Sequence, residues 1–382
     1  MSRALVDWLL DGAPGVQQPV EVAERIGVEL ARAGVPLDRL TVLVTTLHPT
    51  IAGRQFRWRP ETGASFAELT FAVQMSAPFQ ASPIAIMMRE REELRIRLDD
   101  DALASSEATL VRDLRSEGFI DYFACPLVFT NGECHGITFA TRAATGFRDV
   151  DVEMMRAIVR PLSRVAEIFA LRRVATTLLD TYVGRGSGAR ILQGRITRGD
   201  VELVQAVIWF SDLRGFTEKS SRLQPRAIIA MLNELFDCQV PAIEAHRGEV
   251  LKFIGDGLLA IFPLGSAEDA ATRCADALAA ASDAFAALDA RNAQAADPIR
   301  FGLALHVGEV AYGNIGGASR LDFTAIGPAV NVAARLEGLT GKLDRKLVLS
   351  SELAAAARVP LVDLGEFELK GVPGLQRVFG VA

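Results

Sequence analysis

The first 150 residues combine short apolar runs with stretches of helical periodicity. Residues Pro19 to Gly34 repeat apolar side chains at helical spacing, and Arg39 to Leu47 form an apolar run of strand type. Four more strands are predicted, at ELTFAVQM, ELRIRL, IDYFACPLVF and HGITFAT. A helix, SSEATLVRDLRSEG, is predicted between the second and the third of them. The Asn-Gly pair in Thr130 to Glu133 predicts a tight hairpin between the last two strands. This pattern predicts helices flanking an antiparallel sheet.

Residues Asp151 to Val183 predict one long helix. Apolar residues recur in it at alternating steps of three and four, at Met155, Ile158, Leu162, Val165 and Phe169. This spacing is typical of a two-stranded coiled-coil seam, but periodicity alone fits a helix packed on its own domain equally well. Pro161 is expected to kink or restart the helix. The stretch from Gly184 to Asp200 is rich in Gly and Arg and predicts a linker or hinge.

From residue 201 onward, the predicted elements follow the order β-α-β-β-α-β. An apolar run ends at Phe210, a helix is predicted from near Pro225, and the strands GEVLKFI and LLAIFP flank the turn Gly255-Asp256-Gly257. An Ala-rich helix, Ala267 to Ala290, precedes a predicted strand-turn-strand unit, RFGLALHVGEVAYGNIGG. The helical AVNVAARLEGLT and the runs KLVLSSELAAAA and LVDLGEFELKGV complete the pattern. We predict an α+β, ferredoxin-like domain with additions.

Composition limits the class of protein. A chain of 382 residues suggests two or three domains, and 50% hydrophobic with 23% charged residues is typical of globular proteins. No apolar run approaches the roughly 20 residues of a membrane-spanning helix. The first residues lack a signal-peptide pattern and the four cysteines are scattered, which predicts a cytoplasmic, reducing location. The net charge of −6 disfavours general affinity for nucleic acid or anionic membranes.

Two carboxylates, Asp212 and Asp256, are predicted to meet at one edge of the second sheet. Asp212 ends the first strand and Asp256 occupies the hairpin turn, and these elements are neighbours in a ferredoxin-like sheet. Each alone has an ordinary explanation, since Asp bonds its own backbone before turns and Asp-Gly is a common hairpin corner. Together with backbone N–H groups from Leu213 to Phe216, they would suit divalent cations and a polyphosphate.

Three segments closely resemble, in order and spacing, the signature segments of class III adenylyl/guanylyl cyclases: FSDLRGFT, LKFIGDG and LDFTAIGPAVNVAARLE. A fourth, ELKGV, is similar to the family's C-terminal Lys-Gly segment. The resemblance covers roughly residues 193–382. Residues 1–150 resemble a GAF-type sensor domain in the order of their elements. We therefore predict a GAF-like sensory domain at 1–150, a helical coiled-coil linker and hinge at 151–200, and a class III nucleotidyl cyclase catalytic domain at 201–382.

The resemblance also implies residue roles. Counting back seven positions from Asn331 gives Thr324, and not Asp322, at the position that contacts adenine together with a lysine. Many members have Asp there, so the chain resembles the bacterial-type subgroup with Thr. The implied roles are metal binding by Asp212, the backbone of Leu213 and Asp256; adenine recognition by Lys252 and Thr324; ribose orientation by Asn331; transition-state phosphate contact by Arg335; and further substrate contacts by Lys370, Gly215, Phe216 and Thr217.

The reaction implied by the resemblance converts ATP to 3′,5′-cyclic AMP and pyrophosphate with two Mg²⁺ or Mn²⁺ ions per site. The family shares this site between two chains, which implies a head-to-tail homodimer. A guanylate cyclase is the first alternative, disfavoured by Lys252, and a catalytically silent nucleotide-binding regulator is the second. The implied partners are ATP, a second copy of the chain and a small-molecule or protein regulator of residues 1–150, with no nucleic acid or membrane.

The long helix acquires a regulatory role under this interpretation, because its twist or register could align two catalytic domains. Deletion of residues 1–183 tests the idea. Unchanged activity with unchanged dependence on protein concentration would contradict it.

Overall fold

The computed structural model describes residues 3–46, 51–100, 109–265, 270–293, 295 and 297–382. The chain divides into two compact units, residues 1–178 and 179–382. None of the helices in the described residues has the length and apolar character that a membrane span needs. Three predicted boundaries lie outside the described residues. They are the start of the helix that continues from Thr109, the start of the helix that continues from Ala270, and the end of the strand at Leu47.

The first unit contains a six-stranded sheet with helices. Its elements are α1 (Arg3–Leu10), α2 (Pro19–Arg32), β1 (Arg39–Thr45), β2 (Ile51–Arg59), β3 (Gly63–Thr70), α3 (Phe71–Gln74), α4 (Ala77–Gln80), α5 (Pro83–Glu90), β4 (Leu94–Arg97), α6 (Thr109–Ser116), β5 (Asp121–Val128), β6 (Cys134–Thr141) and α7 (Asp149–Tyr182). The strand order is β3-β2-β1-β6-β5-β4, and every neighbouring pair is antiparallel. The predicted antiparallel sheet with flanking helices is confirmed.

Helix α2 packs on this sheet through one apolar stripe. Val22, Ile26 and Leu30 are buried at helical spacing in the same core as Trp58 of β2. Burial of each such side chain contributes roughly 1.5–3 kcal/mol. Gly27 allows the close approach, because a Cβ there would lie 2.2 Å from the Trp58 ring.

Helix α7 is packed on its own unit through the residues that the spacing singled out. Met155, Ile158, Leu162 and Val165 are each exposed by 2% or less, and Phe169 packs against the same core. This corrects the coiled-coil interpretation of these five positions, because the first unit's sheet and helices already cover them. The helix also continues through Pro161 without a restart.

The second unit contains an eight-stranded sheet. Its elements are α8 (Arg185–Leu192), β7 (Val201–Leu213), α9 (Phe216–Arg222), α10 (Pro225–Ala245), β8 (Glu249–Ile254), β9 (Gly257–Pro263), α11 (Ala270–Asn292), β10 (Phe301–Gly316), β11 (Leu321–Ile326), α12 (Pro328–Glu337), α13 (Leu339–Lys342), β12 (Leu347–Ser350), α14 (Ser351–Ala356), β13 (Leu361–Glu368) and β14 (Leu375–Val381). The strand order is β13-β14-β12-β10-β7-β9-β8, and β11 pairs with β10.

The centre of this sheet follows the predicted β-α-β-β-α-β order. Elements β7, α10, β8, β9, α11 and β10 occur in that order along the chain, and their strands lie side by side as β10-β7-β9-β8. The first strand therefore neighbours the central hairpin, as the ferredoxin-like interpretation requires. Strands β11 to β14 are the additions.

Three local expectations were wrong. The predicted strand-turn-strand at 300–317 is the single strand β10, because β7 pairs with it from Phe301 to Gly313. Part of the predicted hinge is helix α8. The strand predicted over ELTFAVQM ends at Thr70, whose side chain accepts a hydrogen bond from the Val73 N–H and caps α3.

Candidate active site

Asp212 lies near the end of a strand whose middle is deeply buried. In β7, residues Ala206 to Trp209 are fully buried, since β10 and β9 flank the strand and helices cover it. Such a strand favours a continuous apolar run. Ser211 donates a hydrogen bond to Gln239 of α10 (2.6 Å), and the half-buried Asp212 follows it at the edge of the sheet.

Asp256 lies in the turn between β8 and β9. Gly255 has a φ of +63°, which a glycine adopts without strain. Gly257 opens β9, and a Cβ on it would lie 2.7 Å from the Ser211 carbonyl oxygen and 3.1 Å from Asp212 Oδ1. The hairpin corner can therefore approach the end of β7 only because residue 257 is a glycine.

The two carboxyl groups interact electrostatically. Burial, followed by the charges of Asp256 and Glu337, raises the pKa of Asp212 to about 6. Glu337 lies near the end of α12, is 8% exposed, and its pKa is also raised, chiefly by burial. Concentrated negative charge without a cation is costly, so this edge of the sheet is suited to a cation.

Sequence reasoning missed Glu337. The sequence contains a signal for Glu337, because this residue directly follows Leu336 on the side of α12 where Ala333 and Leu336 are buried. A carboxylate on the buried side of a helix is uncommon. Thr340 donates a hydrogen bond to Glu337 (3.1 Å).

Within the described residues, no three His, Cys, Asp or Glu side chains form a group that could hold a metal ion. Asp212 and Asp256 nevertheless fit Mg²⁺, which commonly takes one or two carboxylates and completes its shell with water and phosphate.

The raised pKa of Asp212 gives a stability prediction for the metal-free protein. The folded state holds this proton up to about pH 6, whereas the unfolded carboxyl releases it near 3.8, so stability falls as pH rises through that window. We expect Asp212→Asn to raise the unfolding temperature at pH 7 by a few degrees. We also expect the unfolding temperature of this variant to decrease less than that of the wild type between pH 4 and 6. Scanning calorimetry with excess chelator measures both, and an Asp212→Asn midpoint at or below that of the wild type would contradict the prediction.

The turn after Asp212 begins helix α9. Gly215 has a φ of +71° and precedes Phe216, and no side chain caps the helix start. Backbone N–H groups in the first turn, which includes Phe216 and Thr217, therefore lack intrahelical partners. The Arg214 N–H is different, because it donates to the Arg300 carbonyl (2.8 Å). Anion contacts from this turn are thus restricted to the residues after Arg214.

Lys252 of β8 contacts Asp322 of β11. Its ammonium nitrogen lies 2.5 Å from Asp322 Oδ2, and both side chains are partly exposed. Thr324 follows two residues later on β11 and is 3% exposed, and its hydroxyl has no hydrogen-bond partner among the described residues. Sequence spacing excluded Asp322 as the residue that contacts adenine together with Lys252. In the single chain, Asp322 nevertheless forms an ion pair with Lys252. The same two residues, Lys252 and Asp322, line a groove of about 870 Å³.

Asn331 and Arg335 lie four residues apart on α12 and are both exposed. The opposite face, with Ala329, Ala333 and Leu336, is buried, so Asn331 and Arg335 share the exposed side of the helix, as a spacing of four residues predicts. Lys370 is exposed in the connection between β13 and β14. In the part of the chain that the structure describes, no hydrogen bond or ion pair joins Lys252, Asn331, Arg335 or Lys370 to Asp212 or Asp256.

Most of the second unit is similar to known proteins. Residues 201–380 match the family described as "Adenylate and Guanylate cyclase catalytic domain". Two curated relatives are Adenylate cyclase 1 of Rhizobium meliloti (strain 1021), 28% identical over 71% of this chain, and Adenylate cyclase of Anabaena cylindrica, 35% identical over 40% of it. The chain spans only 42% and 31% of the lengths of these two relatives.

A solved structure gives a similar result. The structure of a bacterial light-regulated adenylyl cyclase matches with a TM-score of 0.50 and 26% identity, over 59% of this chain and 64% of that one. Residues 201–380 of this chain are therefore matched to the adenylate and guanylate cyclase catalytic domain family.

Proposed function

We propose that the protein is an adenylate cyclase that converts ATP to 3′,5′-cyclic AMP and pyrophosphate. The observation that carries the proposal is the approach of Asp212 and Asp256 at the end of β7, within the segment that matches the cyclase family. This edge combines two carboxylates with a helix start that has uncapped N–H groups, the groups that a metal-bound triphosphate requires.

Recognition of adenine is proposed for Lys252 and Thr324. A lysine ammonium donates hydrogen bonds to ring nitrogens, and a threonine hydroxyl can accept one from the adenine amino group. The buried, unpartnered hydroxyl of Thr324 supports this role, because such a group gains most from a ligand's donor. The names of the Rhizobium meliloti and Anabaena cylindrica relatives also favour ATP over GTP.

The chemistry proposed for the chain's own residues is positioning and charge stabilisation. Asp212 and Asp256, with the Leu213 backbone, would hold two Mg²⁺ or Mn²⁺ ions, which when bound polarise the ribose 3′-hydroxyl and neutralise phosphate charge. Asn331 orients the ribose so that the O3′–Pα bond forms as the bond from Pα to pyrophosphate breaks, and the proton of the 3′-hydroxyl passes to water. The guanidinium of Arg335 stabilises charge developing at the phosphate. Lys370 and the Gly215–Thr217 turn contact the phosphates.

A head-to-tail homodimer is part of the proposal. One chain would supply Asp212 and Asp256, and its partner would supply Lys252, Thr324, Asn331 and Arg335. The absence of bonds between these two groups in the described part of one chain agrees with such sharing. Two copies would form two equivalent sites.

The direct test is product formation. Purified protein with Mg²⁺ or Mn²⁺ is incubated with ATP or GTP, and cyclic products are separated by chromatography. We expect cyclic AMP, with kcat/KM for ATP above that for GTP. Predominant cyclic GMP would indicate a guanylate cyclase. Nucleotide binding without either product would indicate a silent regulator.

Residues 1–150 are proposed to form a GAF-like sensor in a cytoplasmic protein. A cavity of about 70 Å³ lies among α2, β1, β2 and α7 and is lined mainly by apolar side chains, which supports binding of a small apolar molecule. Native mass spectrometry of the purified protein would identify a retained ligand. Protein that is ligand-free and binds no member of a metabolite library would contradict the sensor proposal.

A further inference from the structure

Helix α8 is attached to the strand that carries Lys252. Glycines at its start, which suggested a hinge, permit close packing instead. A Cβ on Gly186 would lie 2.5 Å from the carboxylate oxygens of Glu249, and one on Gly184 would lie 3.0 Å from the Val250 carbonyl oxygen. Residues 184–186 thus lie directly against the beginning of β8.

Glu249 Oε1 is the centre of a largely buried hydrogen-bond network. It accepts bonds from the Ser187 N–H (2.8 Å), the Ser187 hydroxyl (2.9 Å) and the Tyr312 hydroxyl (2.7 Å). Ser187 and Tyr312 are exposed by 0% and 1%. Burial of the phenol, followed by the neighbouring Glu249, raises the pKa of Tyr312, so the hydroxyl remains a donor. One carboxylate oxygen therefore joins α8, β8 and β10.

Strand β8 needs such an attachment. In the described part of the chain it is an edge strand of its sheet, and β9 is the one strand that pairs with it. Its register with β9 also shifts between Val250 and Lys252, so a bulge lies between Glu249 and the lysine. Bulges re-aim side chains, and edge strands lack support on one side. The Glu249 bonds give this edge strand contacts with α8 and β10 in addition to its pairing with β9.

The network also reaches the other adenine-contacting strand. The Tyr312 ring packs edge-on against Phe323 of β11, with ring centroids 4.9 Å apart. Phe323 lies between Asp322 and Thr324 in the chain. Arg190 of α8 stacks over the same tyrosine ring, 4.8 Å from its centroid. A shift of α8 would therefore be transmitted to both β8 and β11.

We propose that Glu249 is a positioning residue for nucleotide recognition: with Ser187 and Tyr312 it fixes the edge strand that carries Lys252 against β10 and α8. This inference rests on the proposed cyclase function. Glu249 does not touch the nucleotide, and it acts by holding Lys252 and Thr324 at the correct separation. Loss of the network raises KM for ATP and reduces the preference for ATP over GTP. Turnover at saturating ATP changes less, because Asp212 and Asp256 lie outside the network.

The experiment compares variants of the full-length protein. Glu249→Ala removes the acceptor, whereas Glu249→Gln keeps an oxygen at the same position and tests whether the negative charge is needed. Tyr312→Phe removes one donor but keeps the ring on Phe323. Gly186→Ala inserts a methyl group against the carboxylate. Gly317→Ala is the matched glycine control, because a Cβ there meets nothing within 4 Å.

Glu249→Ala and Gly186→Ala are expected to lower kcat/KM for ATP by about 10- to 100-fold, mainly through KM, the size typical of a small misplacement of a binding group. Tyr312→Phe has a smaller effect in the same direction, and Glu249→Gln and Gly317→Ala remain within about twofold of the wild type. Circular dichroism verifies folding, and Tyr312→Phe provides the test if Glu249→Ala fails to fold.

Two outcomes overturn the inference separately from the cyclase proposal. An active wild type with unchanged KM and ATP/GTP ratio in folded Glu249→Ala and Tyr312→Phe contradicts the positioning role alone. A fall in kcat with constant KM and constant nucleotide preference contradicts it as well, because that pattern indicates general structural damage. A wild type that makes no cyclic nucleotide overturns both proposals.

Discussion

Replacement of Asp212 or Asp256 by alanine is expected to abolish cyclic AMP formation, lowering kcat by at least about 100-fold, the cost of removing one group that stabilises transition-state charge. Under the proposed function, the two carboxylates that converge at the end of β7 hold the cation for the substrate's phosphates, so loss of either leaves one ligand for it. Steady-state assays with Mg²⁺ and with Mn²⁺ measure the effect.

The matched control for these variants is Asp363→Ala. Asp363 belongs to the same unit, is partly exposed and pairs with Arg377, so its removal deletes an acidic group that has a partner outside the candidate site. It should retain activity. Titration with Mn²⁺, followed by electron paramagnetic resonance, supplies a second readout: Asp212→Ala and Asp256→Ala should bind the ion more weakly than Asp363→Ala. Equal Mn²⁺ affinity in all three variants would show that Asp212 and Asp256 do not bind the metal ion.

Two inactive variants are expected to restore each other's activity when they share a dimer. In a heterodimer of Asp212→Ala with Arg335→Ala, one of the two sites receives an intact aspartate pair from one chain and an intact arginine from the other. With random pairing, the unfractionated mixture should recover about a quarter of wild-type turnover, and the purified heterodimer should recover about half, because one of its two sites is intact. Co-expression with two affinity tags, followed by an activity assay of the doubly purified species, measures it.

The control for this complementation is a mixture of Asp212→Ala with Asp256→Ala. Both changes fall on the same half of the shared site, so neither site of the heterodimer is intact and activity should stay at background. If the Asp212→Ala and Arg335→Ala heterodimer is isolated and remains inactive, the site is not shared in the proposed way. Activity in both mixtures would indicate contamination by wild-type protein.

The central topology of the second unit followed from sequence patterns. The apolar run from Val207 to Phe210 required burial on both faces, and it is the strand between β10 and β9. The Gly255-Asp256-Gly257 turn predicted the hairpin, and the meeting of Asp256 with Asp212 followed from the order of strands. The spacing of four residues between Asn331 and Arg335 predicts that they share one side of α12, and both are exposed. These results depend on local periodicity and turn chemistry, which the sequence contains directly.

Other features depended on which surface covers which side chain. The three–four spacing from Met155 to Phe169 was compatible with a dimer seam, but the core of the first unit already covers these residues. The exposed apolar residues of α7 include Val150, Ile168, Leu171 and Leu178, none of which belongs to that three–four series. Periodicity identifies an apolar face of a helix but carries no information about its partner.

The glycines between residues 184 and 188 show the same limit. Glycine permits both flexible backbone and close approach, and composition alone suggested a hinge. In the folded chain, Gly186 lies against the carboxylate of Glu249, more than sixty residues later in the sequence. Only the three-dimensional neighbour distinguishes the two uses.

The sequence by itself determined the central β-α-β-β-α-β order of the second unit, the two carboxylates and the resemblance to class III cyclases, because these depend on residue type and spacing along the chain. The tertiary structure decided that Glu337 adds negative charge beside Asp212, that Lys252 pairs with Asp322, and that Glu249 ties α8 to the sheet. Each of these contacts joins residues that are distant in the chain. Their energies depend on burial and separation, which arise only when β7, β8, β10 and α12 pack together.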